Sequence, residues 1–94
     1  MTTTIWIDHQ EALVTVYRNE TRPTVQRITR GTTEAEEQFD ARVVDAVIDQ
    51  PTVEVMGPAF ARTRFERAYV AVTHRPDRLS EHESVIDAEP ILAG

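Results

Sequence analysis

Residues 3–18 read TTIWIDHQEALVTVYR, and this stretch decides the fold. β-branched and aromatic residues fill both of its ends, which is typical of strands that pack on a half-buried surface. The polar residues Asp8-His9-Gln10-Glu11 separate the two ends, and so short a polar gap predicts a hairpin turn. The chain is therefore expected to open with two antiparallel strands, the first centred on Ile5-Trp6-Ile7.

A third strand is predicted from Thr24 to Thr29, after a turn that ends at Pro23. Proline cannot donate a ladder hydrogen bond, so Pro23 is expected at the start of a strand or on an edge strand. Its apolar residues Val25 and Ile28 are three positions apart rather than two. The pairing register of this strand is therefore undetermined, and an edge strand with a β-bulge would account for the spacing.

A first amphipathic helix follows. Thr33 and Glu36 have the spacing of a capping box, which predicts the helix start, and Gln50-Pro51 predicts its end. One stripe of the helix is apolar: Phe39, Val43, Val44, Val47 and Ile48. The opposite face is acidic and is expected to be solvated, with a basic partner or a second copy as the alternative: Glu36, Glu37, Asp40, Asp45 and Asp49.

The second half alternates strands and helices. A short strand is predicted at Thr52–Met56, a sharp turn at Gly57-Pro58, and a second helix from Pro58 to Thr73. The apolar stripe of that helix holds Ala61, Phe65, Ala68, Tyr69 and Val72. A polar linker, residues 74–83, then leads to a last strand at residues 84–86.

The order β-β-β-α-β-α-β predicts an α/β (mixed α+β) domain with a five-stranded mixed sheet and two main helices. Ribonuclease H-like domains share this core arrangement. Ninety-four residues fit one such domain, spanning residues 1–94.

Composition narrows the function classes. Cysteine is absent, which excludes disulfides and thiolate chemistry. No signal peptide or long apolar run is seen, so a cytoplasmic location without membrane association is expected.

The net charge of −6 argues against simple binding to a phosphate backbone. However, residues 58–79 carry five of the ten arginines and are locally basic, whereas residues 32–57 are acidic.

Two motifs carry a family resemblance. The octapeptide at residues 5–12, IWIDHQEA, resembles the opening "WIDHREA" of short bacterial proteins related to the middle domain of the archaeo-eukaryotic peptide release factor and Pelota family. Met56-Gly57-Pro58-Ala59, followed by Arg62 and Phe65, is similar to their second signature, a "GPGxxKxxF"-like turn from strand to helix. The resemblance implies a ribonuclease H-like fold among translational machinery components, and it implies no known reaction.

The chain departs from that family in two respects. True release factors carry a Gly-Gly-Gln loop in this domain, and this chain has no Gly-Gly pair, so peptidyl-tRNA hydrolysis is not supported. The bacterial relatives also tend to carry a histidine-rich insert and a longer tail, neither of which is seen. The expectation is a reduced member of the group.

Asp8 ends the first strand, where active ribonuclease H-like nucleases keep a metal-binding aspartate. Glu54, Asp45 and Asp87 are its possible companions. The favoured interpretation is instead that Asp8 shapes the hairpin turn.

The histidines are interpreted as non-catalytic. His9 is expected in a turn or on the surface, although an imidazole could serve acid-base chemistry. His74 and His82, the latter flanked by Glu81 and Glu83, offer too few ligands for a defined metal site. No cofactor or metal site is predicted, and whether the chain is an enzyme stays open, with a non-enzymatic role favoured.

The turn at Gly57-Pro58 is the strongest candidate site. A helix N-terminus after a strand presents free N–H groups to an anion, and Arg62, Arg64 and Arg67 would add positive charge. The alternative is a tight connection without a ligand. Similarly, Trp6 and Tyr17 could stack on bases, but a place in the core is favoured.

Three functional hypotheses remain. The first is a non-catalytic binding module that docks on a ribosome, an RNA element or a translation-factor partner through the arginines of the second helix. The second is a metal-dependent nuclease or phosphodiesterase that uses Asp8. The third is a structural or regulatory homodimer, because an exposed sheet face or edge needs covering in a small domain.

Overall fold

The described residues form one five-stranded sheet and two helices. The computed structural model describes residues 2–18 and 22–81, without the side chain of residue 81. The elements in chain order are β1 (Thr2–Ile7), β2 (Glu11–Tyr17), β3 (Thr24–Thr29), α1 (Glu36–Val47), β4 (Val53–Met56), α2 (Ala59–Thr73) and β5 (Leu79–Glu81). The predicted order of elements is confirmed.

The sheet is mixed, as expected, with the strand order β3-β2-β1-β4-β5. β1, β2 and β3 pair antiparallel as a meander, whereas β4 pairs parallel to β1 and β5 pairs parallel to β4. The signature hairpin of β1 and β2 therefore lies in the middle of the sheet. No helix within the described ranges is both long and apolar enough to span a membrane.

The core lies between one face of the sheet and the two helices. Alternate strand residues point to that face because the side-chain period of a strand is two. The buried apolar side chains form one cluster: Ile5, Ile7, Ala12, Val14, Ile28, Phe39, Val43, Val44, Val47, Val53, Val55, Ala61, Phe65 and Tyr69. Because the helices also contact each other, α1 and α2 cover the same face.

β3 is the edge strand of the meander within the described residues, and it needs no bulge. Its register against β2 runs without interruption from Thr29 opposite Glu11 to Thr24 opposite Val16. The spacing of three between Val25 and Ile28 simply places them on opposite faces. Ile28 is 6% exposed in the core, and Val25 is 61% exposed on the other face.

The start of α1 differs from the prediction. The helix begins at Glu36 after an extended Ala35, and the side-chain oxygen of Gln38 accepts a hydrogen bond of 3.4 Å from the Ala35 N–H. The predicted capping box of Thr33 and Glu36 was therefore wrong. Glu34 instead closes the preceding loop, because its carboxylate accepts a hydrogen bond of 2.9 Å from the Gly31 N–H.

The last strand also differs. β5 lies at Leu79–Glu81, within the segment predicted to be a linker, after a short 3-10 turn at Pro76–Arg78. β5 has three residues and pairs only with β4 among the described strands. The strand predicted at residues 84–86 lies outside the described residues.

Three side chains lie on other sides of their helices than expected. Asp40 is 1% exposed and Arg62 is 4% exposed, although both were predicted to lie off the apolar stripes. Val72 was predicted on the stripe of α2 but is 53% exposed. The last buried side chain of α2 is Tyr69, so the final turn of the helix extends beyond the packed part.

Candidate interaction surface on the second helix

The turn between β4 and α2 is held close to the end of β1. Gly57 has a φ of 117°, and a Cβ at this position would lie 2.2 Å from the carbonyl oxygen of Ile7. Only glycine fits such a conformation and approach. Pro58 follows as the exposed N-cap residue, and its carbonyl accepts the first helical hydrogen bond from Arg62 N at 3.0 Å. Gly57 therefore fixes where α2 starts.

No side chain caps the N-terminus of α2, and its first turn carries no acidic residue. The anion site predicted there stays a prediction.

Asp8 forms the turn of the β1–β2 hairpin. Its Oδ1 accepts hydrogen bonds of 2.8 Å from the backbone N–H groups of Gln10 and of Glu11. The Asp8 N–H in turn donates to the carbonyl of Glu11 at 3.0 Å. His9 is exposed at the tip. One oxygen of the Asp8 carboxylate thus closes the turn through its backbone N–H groups, as the favoured interpretation expected.

A network of charged side chains ties this hairpin to both helices. Arg64 on α2 donates from Nε to Oδ2 of Asp40 at 2.7 Å and from Nη2 to Oδ1 of Asp40 at 3.2 Å. Its Nη1 lies 3.4 Å from Oε2 of Glu36, and its Nη2 donates to the Asp8 carbonyl at 3.5 Å. Two-point arginine–carboxylate pairs are strong and geometrically specific. Arg64 therefore joins α2, α1 and the hairpin.

Arg30 extends the network from the loop after β3. Its Nη1 donates to the carbonyl of His9 at 3.2 Å and lies 3.7 Å from Oε2 of Glu36. Its Nε donates to the carbonyl of Glu34 at 2.8 Å. The backbone carbonyls of the Asp8-His9 turn thus each accept a hydrogen bond from an arginine, which gives the signature turn a packing role.

A second ion pair, between Arg42 and Glu34, fixes the loop before α1. Arg42 donates to both carboxylate oxygens of Glu34, at 2.9 and 2.7 Å, and to the carbonyl of Thr29 at 2.8 Å. The hydrogen bond from Arg42, assisted by the one from the Gly31 N–H, lowers the pKa of Glu34 from 4.5 to about 2. The same pair raises the pKa of Arg42. Glu34 therefore stays ionised at neutral pH.

The three arginines predicted to bind an anion have different environments. Arg62 is buried, Arg64 is bound to Asp40 and Glu36, and Arg67 is exposed. Within the described part of the chain, Arg67 forms no ion pair. The structure therefore does not present the three guanidinium groups together on the surface.

Phe60 lies beside these arginines on the solvent side of α2. Its ring is 66% exposed, and the guanidinium of Arg64 stacks on it with Cζ 5.5 Å from the ring centroid. Phe60, Thr63 and Arg67 line one shallow depression, and Thr63, Glu66, Arg67, Val70 and Ala71 line a second one. We call the surface formed by Phe60, Thr63, Glu66, Arg67, Val70 and Ala71 the α2 outer face.

The described residues do not form a metal centre. No group of three or more histidine, aspartate or glutamate side chains in residues 2–18 and 22–80 converges as a metal site would require. Glu54 lies on β4 opposite Thr4, and Asp45 is exposed on α1. His74 ends α2 with a left-handed φ of 58°. Asp87 and His82 lie outside the described residues, and the nuclease hypothesis is not favoured.

Sequence reasoning missed the main features of this region. Asp40 was counted with the solvated acidic face, although it is the buried partner of Arg64. Phe60 was not singled out, although its position beside the stripe of Ala61 and Phe65 could have indicated an exposed aromatic ring. Trp6 is half-buried and Tyr17 is 46% exposed, so neither belongs to the apolar core in which they were predicted.

Comparison with known proteins finds a likeness among solved structures. No protein-family model matches the chain. No curated protein matches it either. Among solved structures, the chain is similar to the crystal structure of the Thermoplasma acidophilum Pelota protein, with a TM-score of 0.66 and 21% sequence identity. The match covers 89% of this chain and 28% of the Pelota chain, so it shows that the two share a domain fold.

Proposed function

We propose that this chain is a non-catalytic, translation-related binding module that docks on the ribosome or one of its RNA elements through the α2 outer face. The likeness to Pelota and the two release-factor-like motifs support the translation-related part. The fold resemblance covers about a quarter of Pelota, so the activity and partners of the whole Pelota protein are not transferred. A cytoplasmic location follows from the proposed role.

The observation that carries the proposal is an exposed aromatic ring on the same side of α2 as an exposed arginine that forms no ion pair with the described residues. Phe60 is 66% exposed, and Arg67 lies two turns further along the same side. RNA-binding surfaces combine aromatic rings on which bases stack with cations that contact phosphates. Because the chain carries a net charge of −6, such contact must be local to this surface.

The test uses a variant of Arg67 and avoids variants of Arg62 and Arg64. Replacing Arg62 or Arg64 would remove a buried side chain or a structural ion pair, so lost binding could reflect lost folding. Arg67→Ala alters an exposed side chain, and Phe60→Ala alters one that is 66% exposed and also contacts the Arg64 guanidinium, so the melting temperature of each variant is compared with that of the unmodified chain. Arg18→Ala is the matched control, because Arg18 is exposed at the end of β2, on a different element.

The experiment is co-sedimentation of the chain with purified ribosomes and with ribosomal RNA at low salt. We expect association that weakens as salt increases, as counterion release requires. Phe60→Ala should weaken binding by about tenfold, since stacking contributes ~1–3 kcal/mol per base. Arg67→Ala should reduce the salt dependence by about one phosphate contact. Arg18→Ala should bind like the unmodified chain.

Two results would overturn the proposal: no sedimentation with ribosomes or RNA at low salt, or binding that Phe60→Ala and Arg67→Ala leave unchanged. Capture of a translation factor without RNA would favour the protein-partner form of the hypothesis instead. The homodimer hypothesis has no observation in its favour among the described residues.

A further inference from the structure

β3 has an open edge that lacks the usual protections against strand pairing. It pairs with β2 from Thr24 to Thr29, and no other described strand lies on its far side. Natural sheets protect such edges with proline, lysine, bulges or charges that point towards the core. The sequence of β3 is TVQRIT, its register has no bulge, and its side chains on the helix side are neutral: Thr24, Gln26 and Ile28. The edge is therefore available to a further strand.

The backbone of β3 presents hydrogen-bonding groups along this edge. The Arg30 N–H donates to a carbonyl in the turn before β2 at 2.8 Å, and so points towards β2. Because residues of an antiparallel strand alternate in the side to which their backbone groups point, those of Val25, Arg27 and Thr29 point away from β2. The Thr29 carbonyl agrees with this, since it accepts a hydrogen bond of 2.8 Å from Arg42. The N–H and C=O groups of Val25 and Arg27 have no partner among the described residues and can pair with an added strand.

A depression of about 280 Å³ lies beside this edge, between β3 and α1, and is lined by Gln26, Ile28, Arg42, Asp45 and Ala46. Ile28 and Ala46 give it an apolar part. Asp45 is exposed and forms no ion pair within the described residues, whereas Arg42 is already paired with Glu34. An apolar surface with an unpaired carboxylate suits a long side chain that carries a cation at its end.

An added strand would bring a side chain to this depression. Side chains of a strand point alternately to the two faces of a sheet, so the residue opposite Gln26 points to the α1 side. We propose that the edge of β3 binds an extended segment of a partner protein by strand addition, and that a lysine or arginine of this segment lies in the depression against Asp45. In this kind of recognition the main chain supplies affinity and the pocket beside the edge supplies specificity.

Charge favours such a partner over a second copy of this chain. β3 of a second copy has only Thr24, Gln26 and Ile28 on the helix side, and none of them is a cation that could pair with Asp45. The net charge of −6 also favours a basic partner. The inference does not rest on the proposed function, because β3 and α1 are not part of the α2 outer face.

The test is fluorescence anisotropy of a labelled peptide of about seven residues, a typical strand length, that alternates valine and arginine. We expect saturable binding, and we expect a peptide that alternates valine and glutamate to bind at least about tenfold more weakly. Asp45→Asn should weaken binding of the valine–arginine peptide by about tenfold, because it removes a hydrogen bond between charged groups. Glu37→Gln is the matched control, since it removes the same charge from another exposed position of α1 and should leave the affinity unchanged.

A second arm tests strand addition without altering the protein. One peptide is N-methylated at its valines and another at its arginines. The N–H groups that point to β3 all belong to one of these two sets, because backbone groups alternate along a strand. One methylated peptide should therefore bind like the unmodified peptide, and the other should bind at least about tenfold more weakly.

Three results would overturn the proposal: no saturable binding, equal affinities of the two methylated peptides, or equal affinities of Asp45→Asn and Glu37→Gln. Analytical ultracentrifugation of the chain alone covers the remaining occupant. A mass that rises with concentration and falls when the valine–arginine peptide is added would assign the edge to a second copy and would also overturn the proposal.

Discussion

Arg64 and Asp40 form a two-point ion pair across the interface of α2 and α1, with distances of 2.7 and 3.2 Å. The side chain of Asp40 is 2% exposed and that of Arg64 is 16% exposed. Arg64 also donates to the Asp8 carbonyl, so one guanidinium connects the hairpin with both helices. The pair therefore supports the surface on which Phe60 and Arg67 are presented.

Arg64→Ala should destabilise the fold strongly. The substitution leaves the carboxylate of Asp40 buried without its partner, and breaking a buried pair typically costs about 3–5 kcal/mol. Urea unfolding measures the loss. The control is Arg75→Ala, because the Arg75–Asp77 pair is exposed and exposed ion pairs contribute little to stability.

Replacing both partners of the buried pair should be less harmful than replacing one. In Arg64→Met/Asp40→Leu no charge is left buried, so most of the stability lost in Arg64→Ala should return. Equal losses in Arg64→Ala and Arg75→Ala would contradict a structural role for this pair.

Gly57→Ala should be far more damaging than Gly31→Ala. At Gly57 a Cβ would lie 2.2 Å from the Ile7 carbonyl oxygen, and the φ of 117° disfavours any other residue. Strain of this kind costs about 1–3 kcal/mol before the clash is added. At Gly31 the nearest atom would be Glu34 Cβ at 3.5 Å, an ordinary contact. Thermal unfolding of both variants makes the comparison, and similar melting temperatures would refute the close approach.

The meander and β4 were predictable because their signals are local, whereas β5 lies in the segment predicted to be a linker. The alternation around Ile5-Trp6-Ile7 and the polar gap at Asp8 depend on neighbours in sequence, and so does the turn at Gly57-Pro58. The pairing of Asp40 with Arg64 joins residues 24 positions apart, and no local pattern marks which acidic residue of α1 is buried. The positions of Arg62 and Phe60 depend in the same way on how α2 is rotated on the sheet.

The Glu34–Arg42 pair should contribute to acid sensitivity. The pKa of Glu34 falls from 4.5 to about 2 on folding because Arg42 and the Gly31 N–H donate to the carboxylate. A lowered pKa means that this contribution is fully present above pH 4.5 and is lost as the pH falls towards 2.

The measurement is the urea midpoint of Glu34→Gln and of the unmodified chain from pH 7 to pH 2. The unmodified chain should be more stable at pH 7, and the difference should disappear as the pH approaches 2. Glu37→Gln is the control, because Glu37 is exposed and forms no ion pair within the described residues. A difference that is constant over the whole pH range would refute the linkage.

Asp8 provides a test between turn formation and metal chemistry. Its Oδ1 accepts two backbone hydrogen bonds, so Asp8→Ala leaves two N–H groups of the turn without that acceptor and should cost about 1–2 kcal/mol. Asp8→Asn keeps an oxygen in the same place and should lose much less. His9→Ala, at the exposed tip, should have little effect.

If Asp8 held a metal ion, Mg²⁺ would raise the melting temperature of the unmodified chain but not of Asp8→Asn. We expect no such rise, because the described residues bring no group of three or more histidine, aspartate or glutamate side chains together as a metal site requires. A rise specific to the unmodified chain would return the nuclease hypothesis to consideration.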